Sequence, residues 1–395
     1  MRPVSRSLAL ASTLVAAVAC TSDVEPPTAA PSPRNGDEVQ ATSVPAAAGE
    51  VVLDNLANPR GLTFGPEGAL YVAEAGRGGA PNNTGPCFVL FAQKMCYGNT
   101  GAVTRLWHGR REQIVTDLPS YAQVNSGAAE GPNGISMNGL GNAYVTIGLE
   151  GDPHLREAAP ELAGLGQLVK LAPWVMSPGG GNGPDRARWE FAADLAQYEV
   201  DANPDCGDID SNPFGVLAEG GDVIIADAGA NALVRRDATG ALSTLAAFAN
   251  NTTIPGPGCP TPASHDFVPT SIVRGPDGAY YIGHLNGLPI VTGSATVWRM
   301  EPGGTPEPYR TGFTWILAIA FDANGNLYVL QRADAAPAST PGSLIRVTPE
   351  GVRTVLVTGI PRAGGLAVDD EGRAYVSMVF GPNSKSPGEV RRYTP

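Results

Sequence analysis

A turn that leads into a short apolar strand recurs six times along this chain of 395 residues. Each copy pairs Gly, Asp or Asn turn residues with β-branched and aromatic ones, which favour turns and strands respectively. The copies are GPEGALYVAEAG, MNGLGNAYVTIG, LAEGGDVIIADAG, RGPDGAYYIGHL, FDANGNLYVLQ and VDDEGRAYVSM. Their alignment places one residue of each in a shared column: Tyr71, Tyr144, Ile224, Tyr281, Tyr328 and Tyr375. The chain is therefore expected to fold from six equivalent units.

Further strands flank every copy. In the first unit, RGLTF precedes the turn, GAVTRLW follows the strand, and EQIVTDL comes last; five of the six units have this fourth strand. Four short strands per unit, joined by turns and without a helical period, are typical of propeller blades. The sequence predicts an all-β, six-bladed β-propeller.

The sixth unit lacks its outer strand because the chain ends at GEVRRYTP, directly after the third strand. The segment GEVVLDNL, residues 49 to 56, matches the outer-strand pattern at the other end of the chain. We expect it to pair into the last blade, which would leave no open sheet edge. Residues 50 to 395 are therefore predicted to form a single propeller.

The repeated glycines and tyrosines have a structural interpretation. Gly68, Gly278, Gly325 and Gly372 are expected in tight turns with positive φ, and the column of tyrosines is expected to fill the space between blades.

The first 49 residues have a different composition. Two arginines and a short apolar run predict a signal peptide over residues 1 to 19. Cys20 follows directly and is a candidate for lipidation, the alternative being cleavage at the same bond to give a soluble exported protein. Residues 20 to 49 are rich in Pro and Ala and predict a disordered tether.

The net charge of the chain excludes some classes of binding partner. A formal net charge of −12 argues against nucleic acid or an anionic membrane face as the main partner. No later segment is apolar enough to cross a bilayer. We expect an extracytoplasmic, bacterial cell-envelope lipoprotein that is monomeric and contacts the membrane only through its N-terminal lipid.

The connecting loops differ between the two faces of the predicted ring. The loops that carry nearly all the extra length lie on the face where the inner strands begin, and loops often carry function. These are residues 75–101, 119–132, 148–165, 196–212, 249–268 and 332–341. Four cysteines fall in them, and we expect the disulfides Cys87–Cys96 and Cys206–Cys259.

Two sets of residues are predicted near the central funnel on that face. One set ends the second strand of each blade, and the other begins the inner strand. The candidates for ligand binding are Arg60, Glu74, Asn133, Asp227, His284 and Gln331. Four of them, Glu74, Asn133, Asp227 and His284, are also candidates to hold a divalent cation such as calcium.

Structural alternatives stand beside these roles. Asp227 and Asn231 in ADAGAN could cap the turn between the second and third strands, and Arg60 with Glu74 could form an ion pair. His108, His154 and His265 are scattered over different loops and are expected to be solvated. The sequence lacks a GxSxG elbow, an HExxH helix and a P-loop.

Several motifs together resemble the ScyD/ScyE family of exported propellers: NPRGLTFGPEGALYVAEAGRGG, CYGNTGAVTR, YVTIGLEGDP, DSNPFGVL, VPTSIVRGPDGAYYIGHLNGLP and GFTWILAIAF. The resemblance covers about residues 50 to 395 and implies a six-bladed ring. It brings no settled biochemical role with it. Similarity to the wider group of NHL and gluconolactonase-like propellers implies a hydrolase or lactonase with a funnel cation held by Glu, Asn and Asp. A full set of matching ligand positions is not evident here.

Two functions follow as hypotheses. The first is a non-enzymatic module that binds a small polar ligand, a glycan or an envelope protein through its loop-rich face. The second is a metal-dependent hydrolase or lactonase that uses Glu74 and Asp227 as ligands and His284 as an acid or base.

Overall fold

The structure is a computed structural model. It describes residues 49–79, 82, 85–124, 128–138, 142–176, 188–249, 252–253, 266–380 and 387–394. The predicted signal peptide, the lipidation candidate Cys20 and nearly all of the tether lie outside these residues, as do Cys259 and His265.

The strands are numbered in chain order, and the first belongs to the last blade. Blade one contains β2 (Pro59–Phe64), β3 (Leu70–Glu74), β5 (Gln93–Trp107) and β6 (Arg110–Gln123), with β4 (Cys87–Leu90) beside β5 and β7 (Ala129–Glu130) beside β6. Blade two contains β8 (Pro132–Met137), β9 (Ala143–Ile147), β10 (Gln167–Leu171) and β11 (Trp189–Asp194). Blade three contains β12 (Pro213–Glu219), β13 (Asp222–Asp227), β14 (Ala232–Arg236) and β15 (Leu242–Ala249), followed by the short β16 (Thr252–Thr253).

The remaining three blades are regular four-stranded sheets. Blade four contains β17 (Pro269–Arg274), β18 (Tyr280–His284), β19 (Ala295–Met300) and β20 (Glu307–Phe313). Blade five contains β21 (Ile316–Phe321), β22 (Leu327–Gln331), β23 (Gly342–Val347) and β24 (Arg353–Ile360). Blade six contains β25 (Ala363–Val368), β26 (Ala374–Met378), β27 (Gly388–Tyr393) and β1 (Glu50–Leu56).

The six inner strands form a closed ring. Each of β2, β8, β12, β17 and β21 contacts the inner strand of the next blade, and β25 contacts β2. Closure is made as the sequence predicts, because β1 pairs antiparallel with β27. An ion pair between Arg392 and Glu50 joins the two ends of the described chain. The predicted all-β, six-bladed architecture is confirmed.

The tyrosine column has a specific function in the fold. Tyr71, Tyr281, Tyr328 and Tyr375 are buried, and the hydroxyl of each donates to the carboxylate of an acid in the preceding turn. These acids are Glu67, Asp277, Asp322 and Asp369. The glycines of the same turns, Gly68, Gly278, Gly325 and Gly372, all have positive φ. Turn and strand recur together because the tyrosine ties the turn to the blade.

In the described chain, helical segments occur only in the connections between strands. The repeated strand pattern of the sequence did not predict these helices. They are the 3₁₀ helices Pro153–Ala158, Pro160–Gly164 and Pro173–Met176, and one α-helix, α1 (Leu195–Ala202). Asp194 caps the N-terminus of α1, and its side chain accepts a hydrogen bond from the backbone N–H of Gln197 at 2.9 Å. It carries the chain from blade two into blade three.

The predicted Cys87–Cys96 disulfide is present and bridges the paired strands β4 and β5. Cys206 is also disulfide-bonded, and its predicted partner Cys259 lies outside the described residues.

Candidate functional site

Six equivalent hydrogen bonds mark the face where the inner strands begin. In every blade, the backbone N–H of the residue after the second strand donates to the carbonyl of the residue before the inner strand. The pairs are Ala75 to Asn58, Gly148 to Gly131, Ala228 to Asn212, Leu285 to Val268, Arg332 to Trp315 and Val379 to Arg362, at 2.8 to 3.0 Å. We call this end of the central channel the mouth. Below it lies a cavity of about 220 Å³ that all six inner strands line with mainly small and apolar residues.

Arg60 and Glu130 form an ion pair at the mouth. An Arg60 Nη2 atom lies 2.7 Å from Glu130 Oε1, and it also donates to the Ala129 carbonyl at 2.7 Å. Only 13% and 12% of the two side chains are exposed. The remaining polar atoms, Arg60 Nε and Glu130 Oε2, are buried without a hydrogen-bond partner. Unsatisfied buried groups of this kind are costly unless a ligand or water pairs with them.

Asn133 adds a third unpartnered group. It is 1% exposed, its Nδ2 atom donates to the Pro213 carbonyl at 3.3 Å, and its Oδ1 atom is buried without a partner. A Cβ atom built on Gly148 would lie 2.5 Å from Asn133 Nδ2, 2.8 Å from Asn212 Oδ1 and 2.9 Å from Glu130 Oε2. Polar atoms of three side chains therefore converge around the backbone of Gly148, which has no side chain to fill the space.

Two more arginines bring positive charge to the same end of the channel. Arg332 follows the second strand of blade five, and Arg362 precedes the inner strand of blade six. Neither has a carboxylate within 4 Å among the described residues, whereas Arg60 has Glu130. Burial, and then repulsion from Arg60 and Arg362, lower the pKa of Arg332 to about 10, so its guanidinium remains charged at neutral pH.

Acidic residues face these arginines from blades two and three. Glu150 is exposed at the rim of the mouth, where the charges of Glu130, Arg60 and Arg332 act on it. Burial, and then the neighbouring acid Asp227, raise the pKa of Asp210 to about 6. The mouth is thus polarised. Arginines without an ion-pair partner among the described residues lie on blades five and six, and carboxylates lie on blades two and three.

Glu74, the first predicted cation ligand, lies in the interior of blade one. It is 1% exposed, and its Oε2 atom accepts the backbone N–H of Ala57 at 2.6 Å. Its Oε1 atom accepts the hydroxyl of Thr104 and, at 3.5 Å, the amide of Gln113. The predicted Arg60–Glu74 ion pair is replaced by Arg60–Glu130.

Asp227 behaves as a turn cap. Its carboxylate accepts hydrogen bonds from the Ser211 hydroxyl at 2.8 Å and from the backbone N–H groups of Asn212, Gly229 and Ala230 at 2.6 to 3.2 Å. Burial raises its pKa to about 6, and these four hydrogen bonds oppose the rise. Asn231 also holds the backbone: its Oδ1 atom accepts the Val268 N–H at 2.8 Å, and its Nδ2 atom donates to Asp205 Oδ2 at 2.8 Å.

His284 is enclosed in blade four. Its side chain is fully buried and stacks on Phe267, with ring centroids 4.1 Å apart. Because its Nε2 atom accepts the backbone N–H of Thr296 at 3.1 Å, Nδ1 carries the proton and donates to the Phe267 carbonyl at 3.0 Å. Burial lowers its pKa to about 4, which keeps the ring neutral. Both nitrogens are engaged, so this geometry leaves none for acid–base chemistry.

Gln331 is likewise engaged. Its Oε1 atom accepts the Thr314 N–H at 2.7 Å, and its Nε2 atom donates to Asp334 and Ser343 at 2.6 and 3.1 Å. The last residue of each second strand is therefore buried within the blades, as are Ile147 and Met378. The sequence analysis predicted that the last residue of each second strand faces the funnel. In blade five it is instead the following residue, Arg332, whose charged side chain lies at the mouth.

The residues that the sequence missed lie in or next to the loops that it singled out. Glu130, Glu150 and Asp210 fall within 119–132, 148–165 and 196–212, and Arg332 begins 332–341. The presence of charged residues in these long loops was the one sequence feature that could have identified them as candidates for the site. Their convergence depends on how four blades are arranged around the channel.

The described residues do not fit the funnel cation implied by gluconolactonase-like propellers. Among them, no group of three or more His, Cys, Asp or Glu side chains is arranged to hold a metal ion. Arg60 also places a guanidinium against Glu130, where it supplies the positive charge that a cation would bring.

The described chain is a six-bladed β-propeller with a polar, charged channel mouth, and none of its helices is long and apolar enough to cross a membrane. No protein-family model and no curated protein matches the sequence. The ScyD/ScyE resemblance therefore stays a prediction.

Solved structures of similar architecture include three bacterial propellers. The calcium-binding protein regucalcin from Agrobacterium tumefaciens is 13% identical, with a TM-score of 0.46 over 88% of this chain and 93% of that one. A gluconolactonase from Xanthomonas campestris is 10% identical, with a TM-score of 0.45 over 87% and 88%. Virginiamycin B lyase from Staphylococcus aureus is 12% identical, with a TM-score of 0.43 over 85% and 95%. At these identities and TM-scores the similarity says nothing about the site residues of this chain.

Proposed function

We propose that this protein is an exported binding module that holds a small polar ligand at the channel mouth, and that the ligand carries a carboxylate. The observation that carries the proposal is the set of three neighbouring arginines beside buried, unpartnered acceptors, in a chain whose net charge is −12. Arginines close enough to repel one another are costly unless an anion joins them.

The arginines on one side of the mouth favour a ligand with an anionic group. Arg332 and Arg362 have no carboxylate within 4 Å among the described residues, and the planar guanidinium suits bidentate contacts to a carboxylate. Within the described part of the chain, the Arg332 side chain makes a single long hydrogen bond, 3.4 Å, to the Ala363 carbonyl. Its donors are therefore available to a ligand.

The polar groups on the other side of the mouth indicate which further functional groups the ligand carries. Glu130 Oε2 and Asn133 Oδ1 are acceptors in need of donors, and Arg60 Nε is a donor in need of an acceptor. Hydroxyl groups supply both, so a hydroxylated carboxylate such as a sugar acid has the required chemistry. An acidic glycan would present the same groups.

The binding interpretation is favoured over the lactonase alternative by what the side chains do. Glu74, Asp227 and His284, which the hydrolase hypothesis needs as ligands and acid or base, are engaged in hydrogen bonds inside the blades. Export, lipid attachment at Cys20, a location in the cell envelope and a monomeric state enter this proposal as predictions from the sequence.

A thermal-shift and calorimetric titration tests the proposal with two probes that differ in one group. We expect glucuronate to bind and to raise the melting temperature, and glucose to bind far more weakly, because only glucuronate offers a carboxylate to Arg332. The variant Arg332→Gln should lose roughly tenfold or more in glucuronate affinity, as for other buried charged contacts. Arg110→Gln, an exposed arginine on the opposite face, is the matched control and should bind as the parent does.

Equal binding of glucuronate and glucose, or unchanged binding in Arg332→Gln, would overturn the proposal. Turnover of a sugar lactone that is abolished by Glu74→Gln would favour the hydrolase instead.

A further inference from the structure

A second polar site lies in the connection from blade two to blade three, apart from the arginines of the mouth. Glu199 on α1 is 1% exposed, and both its carboxylate oxygens are buried without a hydrogen-bond partner. Asn203, one turn later, and Asp210 each add one buried, unpartnered side-chain oxygen, Oδ1 in both cases. Four oxygens that lack donors therefore occur within one short segment.

The local structure brings these three residues close to one another. The backbone N–H of Asn203, the left-handed residue that ends α1, donates to the Glu199 carbonyl at 2.8 Å, so the two residues lie one helical turn apart. The backbone of Asp210 lies beside the Glu199 carboxylate. Asn203 Nδ2 donates to the Gly207 carbonyl at 3.1 Å, which fixes the amide and leaves Oδ1 as an acceptor.

Neighbouring acids do not relieve the shortage of donors. Asp227 and Asp205 act on Glu199 as further negative charges, and no cation is among the groups that act on it most. The oxygens of these two acids are already occupied: Asp227 accepts four hydrogen bonds, and Asp205 accepts from Asn231 and Gly207. Burial, and then the charges of Asp227, Asp205 and Asp210, raise the pKa of Glu199 to about 8, so the carboxyl group holds its proton at neutral pH unless a bound cation displaces it.

We propose that this segment is a calcium site in which Glu199, Asn203 and Asp210 supply the side-chain oxygens. Hard cations prefer carboxylate and amide oxygens, and calcium tolerates irregular geometry with about six to eight ligands. The side chains supply only two carboxylates, so backbone carbonyls and water complete the shell. Magnesium, which demands a near-ideal octahedron, should bind more weakly.

Equilibrium dialysis and calorimetry of the purified protein with calcium chloride test the site. We expect one bound calcium ion per chain, weaker magnesium binding, and a calcium-dependent rise in melting temperature. Glu199→Gln should weaken calcium binding by roughly tenfold or more, because affinity follows the charge of the ligand set. Asp201→Asn removes an exposed acid from the same helix and should leave the affinity unchanged.

The Glu199→Gln measurement is interpretable if the variant folds, which circular dichroism checks, and Asp210→Asn provides a second ligand variant. Absence of stoichiometric calcium in the unaltered protein, or equal affinity in Glu199→Gln and Asp201→Asn, would overturn the site. Glu199→Gln is read by calcium binding and Arg332→Gln by glucuronate binding, so failure of this site and failure of the proposed function are distinguishable.

Discussion

His284 is held neutral inside blade four by two hydrogen bonds and one aromatic face. The Thr296 N–H occupies its Nε2 atom, and the proton on Nδ1 is directed to the Phe267 carbonyl. Burial in this dry site disfavours the charged ring and lowers the pKa of His284 from 6.5 to about 4. Protonation of Nε2 would also break the contact with the Thr296 N–H. The protonation state of His284 is therefore determined by its burial and by the hydrogen bonds around its ring.

This shift predicts a pH-dependent stability. Because the unfolded chain binds the histidine proton near pH 6.5 and the folded chain only near pH 4, the contribution is fully present above pH 6.5 and is lost as the pH falls toward 4. The loss is on the order of 3 kcal/mol. Urea unfolding between these pH values should show a flatter dependence in His284→Gln than in the parent. His108→Gln alters an exposed histidine and should keep the parent's slope; equal slopes in all three proteins would contradict the prediction.

At the scale of the elements, glycines in the inner strands allow the blades to meet. A Cβ atom on Gly134 of β8 would lie 2.3 Å from the Phe214 carbonyl oxygen of β12. The same β12 carbonyl accepts the hydroxyl of Thr146 at 2.7 Å. Backbone of the next blade therefore occupies the space that a side chain would need, and the strands that line the channel must be small at this point.

Gly134→Ala should accordingly lower the free energy of unfolding by about 1 to 3 kcal/mol, since a backbone atom cannot move aside as a flexible side chain would. Denaturant unfolding measures the change. Gly304→Ala is the control, because its Cβ atom would come no closer than 3.2 Å to its neighbours in an exposed turn. A loss in Gly134→Ala no larger than that in Gly304→Ala would show that the inner strands adjust freely.

For the molecule as a whole, the decisive contact is the one that closes the ring. Strand β1 pairs with β27 and brings Leu53 and Leu56 into a core that blades six and one share. Leu56 is 1% exposed, whereas Val51 on the same strand is 44% exposed. The first described strand thus buries apolar surface against both ends of the ring.

Leu56→Ala is expected to destabilise the protein by about 2 to 5 kcal/mol, the usual cost of a cavity in a packed core. Val51→Ala, on the exposed side of β1, should change stability by less than about 0.5 kcal/mol. Thermal and urea unfolding of both variants measure the difference. If the two variants were equally stable, β1 would not contribute to closure in solution.

The sequence by itself determined the architecture, because the information for a blade is local. Turn acids, glycines and tyrosines recur within a dozen residues, and strand alternation fixes which side of each strand is buried. The missing outer strand of the last unit also identified the closing strand. The Cys87–Cys96 disulfide followed from two cysteines in one loop.

Only the tertiary structure decided which side chains meet at the mouth. Arg60 and Glu130 are 70 residues apart, and their contact depends on two blades packing side by side. Glu74, Asp227 and His284 end their strands as expected, yet hydrogen bonds inside the blades turn them away from the channel. A shift of one residue along a strand sends a side chain to the opposite face, so the pattern alone could not choose between Gln331 and Arg332. Side-chain direction at a strand end depends on three-dimensional neighbours, and these exist only once the ring has closed.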